Sequence, residues 1–151
     1  MAEPMRFQLS RRRGWRMPPG TVKVDRSSCF GNPFPVSKGT STSMGVTSEI
    51  WSVGTWEGPA MWIRSSKEEA SQLSVNAFRA WMELPAQSSL RDRARTALRG
   101  KNLACWCRLC PEHQDCKPFS VTCGACAPCH ADVLGPIANG PICEPVEAPH
   151  V

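Results

Sequence analysis

The sequence has no long apolar run. None of its segments approaches the roughly 20 consecutive apolar residues that a membrane-spanning helix requires, so we expect no membrane partner. The first residues, MAEPMRFQLSRRRGWRM, also lack the apolar segment of a secretory signal, and we therefore expect a cytoplasmic location. The chain shows no internal repeat, and its 151 residues are too few for two ordinary domains. A hydrophobic content of 41% is enough for one packed core.

Acidic residues are scarce in the N-terminal third. Residues 1–38 contain eight Lys and Arg against two acids, whereas residues 105–151 contain two against five. A basic surface attracts polyanions such as nucleic acids, and arginines next to an aromatic residue suit phosphate contact and base stacking. The alternative interpretation is a basic face that is only solvated. The candidate nucleic-acid-binding residues are Arg6, Arg11, Arg12, Arg13, Trp15 and Arg16.

Strand patterns and helix patterns follow one another along the chain. The segments MRFQLS, GTVKVD and NLACWC predict strands, EIWSV and AMWIR predict a hairpin, and the Ser-, Thr- and Gly-rich residues 37–48 are expected to be flexible. A capping box at Ser66 and Glu69 predicts a helix that ends at Pro85. A second helix is predicted over residues 89–100, and CHADVL opens a third. We therefore expect an α/β fold, a small single domain with a short mixed sheet and flanking helices.

Seven of the nine cysteines lie between Cys105 and Cys129. In a reducing cytosol, clustered cysteines bind metal or react more often than they form disulfides. Two Cys-x2-Cys pairs stand twelve residues apart, which matches zinc-ribbon spacing and predicts a Zn²⁺ cofactor. The other cysteines, with His113 and His130, are enough for a second site or for a different set of four ligands. The predicted metal ligands are Cys107, Cys110, Cys123 and Cys126.

A candidate reactive group stands at the end of a strand. Cys105 ends the strand NLAC, and Cys129 and His130 stand where the next helix begins. Strand ends that face helix N-termini are where α/β proteins place ligands, and a helix N-terminus lowers the pKa of a thiol. Asp132, in the first helical turn, either takes part in catalysis or complements the helix dipole. The predicted catalytic residues are Cys105, Cys129, His130 and Asp132.

Several separate stretches resemble a known family. RFQLSRRRGWRMPPGTVKVDR, GNPF, AFRAWM and LRGKNLACWC…CHADVL are similar, in the expected order, to the phage and bacterial domain-of-unknown-function family numbered 4326. If a phage encodes the protein, the resemblance implies that the protein is located in the cytoplasm of the host. It also implies a domain over residues 1–134 and an inserted cysteine-rich zinc-binding loop over 108–128, with Pro136 interrupting what is a longer helix in the family. The four prolines and few apolar residues from Gly135 onward predict an irregular tail over 135–151.

The resemblance supplies positions for a site but no reaction. The positions that match the family motifs outside the cysteines include Asp25, Arg26, Gly31 and Asn32, which we predict to bind substrate. Arg26 would hold a phosphate or carboxylate, Asn32 would orient a polar group, and a thiolate or metal-bound water would react. The sequence thus favours an enzyme or enzyme-like domain acting on a nucleotide, nucleobase or nucleic acid. The alternatives are a non-catalytic zinc module that binds nucleic acid and a small interaction protein.

Overall fold

A computed structural model describes residues 3–55 and 58–141. Within these residues the chain forms seven strands and three helices. In chain order they are β1 Met5–Gln8, β2 Thr21–Lys23, β3 Val36–Ser43, β4 Val46–Thr55, β5 Gly58–Arg64, α1 Lys67–Glu83, α2 Ser88–Leu98, β6 Asn102–Cys105, β7 Lys117–Pro118 and α3 Ala131–Asn139. The α/β class with a mixed sheet and flanking helices is confirmed.

The central sheet has the strand order β2-β6-β1-β7. The strands β2, β6 and β1 are parallel, and β7 pairs antiparallel with β1 at the edge. Leu103 of β6 lies between Arg6 and Val22 in the register of its two neighbours. Because the three parallel strands share one direction, their carboxyl ends meet at one edge of the sheet, which we call the carboxyl edge.

The first helix begins at the predicted capping box. The hydroxyl of Ser66 accepts a hydrogen bond from the backbone N–H of Glu69 at 3.2 Å, and the helix ends at Glu83, before Pro85. Its buried face is made of Ala70, Ser74, Val75, Phe78 and Met82. This face packs into the main core, whose largest fully buried apolar residues include Phe78, Met82, Leu98, Leu103 and Leu134.

Residues 37–48, predicted to be flexible, are instead part of a second sheet. The strands β3, β4 and β5 form an antiparallel sheet in that order, and the predicted hairpin between β4 and β5 is confirmed. The turn between β3 and β4 consists of Met44 and Gly45, both with positive φ (49° and 79°), as in the two-residue turns that match strand twist. The cross-strand backbone hydrogen bonds order this stretch despite its Ser, Thr and Gly content.

The last helix is longer than predicted. The sequence assigns residues from 135 onward to an irregular tail, but α3 continues to Asn139 with Pro136 inside it. A proline removes only one helical hydrogen bond, and the burial of Leu134 and Ala138 in the core outweighs that loss. Residues 142–151 of the predicted tail lie outside the described residues. No helix in the described part of the chain is long and apolar enough to cross a membrane.

Candidate metal centres

Four side chains from the cysteine-rich segment converge in what we call the outer cluster: Cys110, His113, Cys123 and Cys126. One ligand atom from each lies within 4.8 Å of all the others. The Cys110 Sγ lies 3.2 Å from His113 Nδ1 and 3.8 Å from Cys123 Sγ. A short 3₁₀ turn over Pro111–His113 returns the imidazole toward Cys110. Three sulfurs and one imidazole nitrogen could hold a metal ion.

Backbone N–H groups prepare the sulfurs of the outer cluster for that task. The Cys110 N–H donates to Cys126 Sγ at 3.3 Å. Hydrogen bonds from the backbone N–H groups of Cys126 and Ala125 lower the pKa of Cys123 to about 6, so this thiol ionises readily at neutral pH. Burial raises the pKa of Cys126, which favours its thiol until a cation is bound. A bound metal ion would remove that proton.

The predicted set of four ligands is not brought together as a set. Cys110, Cys123 and Cys126 do converge, but Cys107 lies beside Cys105, with 3.9 Å between their Sγ atoms. The spacing that suggested Cys107-x2-Cys110 as one pair is met in space by Cys110 and His113, and Cys110-x2-His113 is itself a metal-ligand spacing. That spacing is the signal in the sequence that could have identified His113.

A second group, which we call the inner cluster, consists of Cys105, Cys129 and His130. Their ligand atoms also lie within 4.8 Å of one another, and all three residues are buried, with 6%, 1% and 4% of their surfaces exposed. The strand β6 positions Cys105 and the start of α3 positions the other two. The ring of Phe78 from α1 meets the imidazole edge to face, with centroids 5.3 Å apart. The inner cluster could also hold a metal ion.

The two thiols of the inner cluster and the neighbouring thiol of Cys107 influence one another strongly. Hydrogen bonds from Cys107 and Cys129 lower the pKa of Cys105. The same contacts raise the pKa of Cys107 to about 12 and raise the pKa of Cys129. One negative charge among the three sulfurs is therefore favoured, and further ionisation needs a cation. Three of the four predicted catalytic residues thus lie in a buried group that suits metal ligation better than attack on a large substrate.

Asp132, the fourth predicted catalytic residue, is held by two buried cations. Its Oδ2 lies 2.7 Å from Arg6 Nη1 and its Oδ1 lies 3.1 Å from Lys117 Nζ. Arg6 also donates to the carbonyl oxygens of Ala127 at 2.9 Å and Cys107 at 3.4 Å. Burial acts to lower the pKa of Arg6, but the surrounding Cys129, Asp132, Cys107 and Cys126 raise it, so it stays charged.

Arg6 is therefore not part of a nucleic-acid surface. Only 1% of its surface is exposed, which corrects its assignment to the basic N-terminal group. The strand β1 places this side chain between the inner cluster and the cysteine-rich segment. Its neighbour Phe7 is only partly buried, and alternation gives no reason to expect a buried charge at position 6. Sequence reasoning missed the central position of Arg6.

The predicted substrate loop lies at the carboxyl edge. Asp25 follows β2, and its carboxylate accepts hydrogen bonds from the backbone N–H of Ser27 at 3.2 Å, from the Ser27 hydroxyl, and from Trp106 Nε1 at 2.9 Å. Lys23 lies 3.3 Å away. Although burial alone would raise it, these hydrogen bonds lower the pKa of Asp25. The side chain of Arg26 is exposed.

Gly31 and Asn32 shape this loop. A Cβ on Gly31 would lie 2.6 Å from Arg26 Cα and 2.9 Å from the Asp25 carbonyl oxygen, so only glycine fits the turn. The Asn32 amide donates to Ser74 Oγ at 3.0 Å, and its oxygen accepts from the Phe34 N–H at 2.9 Å. Both groups of Asn32 are thus engaged within the protein, and the contacts explain the two residues through loop structure.

The basic segment 9–20 connects β1 to β2 and begins at the same edge. The Arg11 guanidinium lies over the Trp106 ring, 4.7 Å from its centroid, and 42% of Trp106 is exposed. Arg12, Arg13 and Arg16 are exposed, and Trp15 is half-buried. The carboxyl edge therefore combines an exposed indole with several free cations. The Asp25 carboxylate accepts a hydrogen bond from the Trp106 Nε1–H and so fixes the orientation of the indole.

Residues 7–140 match the family "Domain of unknown function (DUF4326)". The chain belongs to this family. No curated protein and no solved structure matches it. The DUF4326 match contains both clusters, the carboxyl edge and all of α3, and so it extends past the domain boundary at residue 134 that the sequence predicts.

One cleft in this DUF4326 domain touches both clusters. Its volume is about 260 Å³, and it is bounded by α1 on one side and by the cysteine-rich segment and the start of α3 on the other. It is lined by Arg79 of α1, by Lys117 and by Asp132. Cys123 and Cys126 of the outer cluster and Cys129 of the inner cluster also contribute to its wall. The cleft is polar and carries both signs of charge.

Proposed function

We propose that the protein is a zinc-binding domain that binds nucleic acid at the carboxyl edge of its central sheet. The observation that carries the proposal is the Arg11 guanidinium stacked on the exposed Trp106 ring, which Asp25 holds in place. An indole and a guanidinium presented together suit base stacking and phosphate contact. The residues come from three different strand ends, β1, β2 and β6, and therefore converge only in the folded domain.

Charge supports a polyanionic partner at this edge. Arg12, Arg13 and Arg16 are exposed beside Arg11, and Arg26 is exposed on the neighbouring loop. Phosphates attract such a group of cations without regard to base sequence. The carboxyl edge of parallel strands is also where α/β proteins bind ligands. The expected partner is a single strand, because its unpaired bases can stack on an exposed indole.

Zinc fits the donor set of the outer cluster. Cys110, Cys123 and Cys126 offer soft thiolates and His113 an imidazole, and three sulfurs with one nitrogen form a tetrahedral zinc site. All four positions of the tetrahedron would be filled by protein, which is the arrangement of structural sites. This zinc would hold the cysteine-rich segment 108–128 against the sheet, where β7 pairs with β1.

The test is a salt series of single-stranded oligonucleotide binding, with Trp fluorescence and anisotropy as readouts. Each neutralised phosphate contributes roughly 0.7 to the slope of log affinity against log salt. Replacing Arg11, Arg12 and Arg13 with Gln should therefore flatten the slope by about two to three units. The matched control replaces the exposed Arg64, Arg93 and Lys101 with Gln and should leave the slope nearly unchanged.

Trp106 separates stacking from charge in the same assay. Trp106→Ala should weaken binding by roughly 1–3 kcal/mol. It should change the salt slope by no more than the roughly 0.7 that one phosphate contributes. Trp106→Phe should recover part of the loss because it keeps an aromatic face. Equal salt slopes for the wild type, the arginine triple variant and its control would remove nucleic acid as the partner of this edge.

A catalytic role on a nucleotide is the second candidate, and the cleft beside both clusters favours it. Cys129 and Asp132, two of the predicted catalytic residues, line that cleft with Arg79 and Lys117, which could contact a phosphate. If the protein is such an enzyme, Asp132→Asn should lower the rate of nucleotide turnover while the zinc content stays constant. Arg79→Gln, at an exposed position, should then raise KM for the nucleotide without destabilising the fold.

A further inference from the structure

We propose that a second zinc ion is bound inside the domain by Cys105, Cys107, Cys129 and His130, with Cys107 as the ligand that completes the set. This site is separate from the outer cluster, and it does not depend on nucleic-acid binding. It would give the domain two Cys₃His sites, one in the cysteine-rich segment and one between the sheet and α3.

The ligand atoms of Cys105, Cys129 and His130 lie within 4.8 Å of one another, and Cys107 Sγ lies beside Cys105 Sγ but farther than 4.8 Å from at least one of the other two, so its side chain would move inward to complete the set. With Zn–S bonds of about 2.3 Å, two sulfurs of one tetrahedron lie about 3.7 to 3.8 Å apart. The Cys105 and Cys107 Sγ atoms are separated by 3.9 Å, and Cys129 Sγ lies 3.8 Å from His130 Nδ1. The outer cluster shows the same spacing, with 3.8 Å between Cys110 and Cys123.

The imidazole of His130 is oriented as a metal ligand. Its Nε2 lies 2.5 Å from the Val24 carbonyl oxygen, and since a carbonyl only accepts, Nε2 must carry the proton. Nδ1 then has a free lone pair, and it is the nitrogen that faces the sulfurs. A ring N–H donated to a backbone carbonyl is the usual way in which proteins fix a metal-binding histidine.

The buried side chains around the inner cluster carry an excess positive charge, which also favours a metal site with a negative net charge. The side chains of Arg6 and Lys117 are almost completely buried, and they share the single carboxylate of Asp132, which leaves one positive charge in excess. Zinc with three thiolates and a neutral imidazole carries a charge of −1. Arg6 donates to the Cys107 carbonyl oxygen, so the excess charge lies directly beside the proposed fourth ligand. The Arg6 Nε is a buried donor that no acceptor in the described part of the chain satisfies.

The site would fasten three parts of the fold. Cys105 ends β6 and Cys107 follows it, Cys129 and His130 immediately precede α3, and the Val24 carbonyl belongs to the chain just after β2. All eight cysteines that the structure describes are free thiols, so no disulfide competes for these sulfurs. Phe78 covers the imidazole, and with Cys129 only 1% exposed, a metal ion bound there would exchange slowly. The site is structural, because protein atoms fill all four positions.

Metal content of the full chain tests the stoichiometry. The wild type should contain two zinc ions per chain, and Cys110→Ser/Cys123→Ser, which breaks only the outer cluster, should retain one. The matched control changes two cysteines outside both clusters, Cys29→Ser and Cys116→Ser, and should retain two. One zinc in the wild type, or none in the outer-cluster variant while it remains folded by circular dichroism, would overturn the proposal.

X-ray absorption at the zinc edge tests the role of Cys107 without mutating the inner cluster. The single zinc of the outer-cluster variant should show three sulfurs near 2.3 Å and one nitrogen near 2.0 Å, as expected for Cys₃His coordination at roughly these bond lengths. Two sulfurs with two lighter ligands would exclude Cys107 as a ligand. If the variant fails to fold, the wild-type spectrum still tests the proposal, since two Cys₃His sites require an average of three sulfurs per zinc with two zinc ions per chain, and a lower average would overturn it.

Discussion

Replacing Arg6 with Met should destabilise the domain more than any other change of a basic residue in the described chain. Arg6 is 1% exposed and its guanidinium joins Asp132, the Ala127 carbonyl and the Cys107 carbonyl. Met has a similar apolar stem but no donor, so it would leave three acceptors without this partner. Breaking a buried charge pair from one side costs about 3–5 kcal/mol.

The contacts of Asp132 place the expected loss near the lower end of that range. Its carboxylate keeps Lys117 at 3.1 Å and is 29% exposed, so it would not become an isolated buried charge. The two carbonyl oxygens each lose a hydrogen bond whose absence costs about 1–3 kcal/mol when no water replaces it. A loss of about 3–4 kcal/mol is a large share of the roughly 5–15 kcal/mol that stabilises a typical domain.

Urea unfolding at pH 7 measures this loss, with zinc held at one saturating concentration so that metal binding contributes equally to each protein. Arg93→Met, at an exposed position on α2, is the matched control and should change the unfolding free energy by less than about 0.5 kcal/mol. Arg6→Lys should recover only part of the loss, because one ammonium cannot reproduce the planar fork. A loss below about 1 kcal/mol for Arg6→Met at unchanged zinc content would refute the reasoning.

Two further changes at the carboxyl edge have defined outcomes. Gly31→Ala should cost about 1–3 kcal/mol in thermal or urea unfolding, because its Cβ would meet the backbone of Arg26 at 2.6 Å, whereas Gly124→Ala, which meets nothing within 4 Å, should be nearly neutral. Equal effects of the two would contradict this. Asp25→Asn should cost about 1–3 kcal/mol at pH 7, since an amide cannot accept at both positions. Because the folded pKa of Asp25 lies below its ordinary value of 3.8, the stability it contributes is complete above that pH and is lost as the pH falls further. The difference between wild type and Asp25→Asn should therefore shrink below about pH 4, and a difference that grows on acidification would disprove the assignment.

Local signals in the sequence were sufficient for much of the fold. The capping box at Ser66, the stop at Pro85 and the apolar strand NLAC each depend on neighbouring residues, and each appears where it is predicted. The hairpin formed by residues 37–48 was missed because its order comes from pairing with a partner strand, which composition does not report. In α3, the burial of Leu134 and Ala138 outweighs the usual effect of Pro136.

In the candidate site, too, local sequence signals predicted some of the ligands but not how they are divided between the two clusters. Spacing predicted that the cysteine-rich segment would gather sulfurs, and it does so at Cys110, Cys123 and Cys126. Spacing could not divide the ligands between two groups, because the separation of Cys107 from Cys110 depends on how the chain leaves β6. The central place of Arg6 depends on residues more than 100 positions away, and no local pattern marks it.

The short strand β7 has a consequence for how copies of this protein meet one another. It comes from the cysteine-rich segment 108–128 and covers one side of β1 with two residues, Lys117 and Pro118. Without this segment, β1 would present its unpaired N–H and C=O groups at the edge of the sheet, where another chain could add a strand. Pro118 has no N–H to offer, so the sheet ends there. Segment 108–128 thus covers this edge of the sheet against edge-to-edge association, and its deletion should appear first as aggregation.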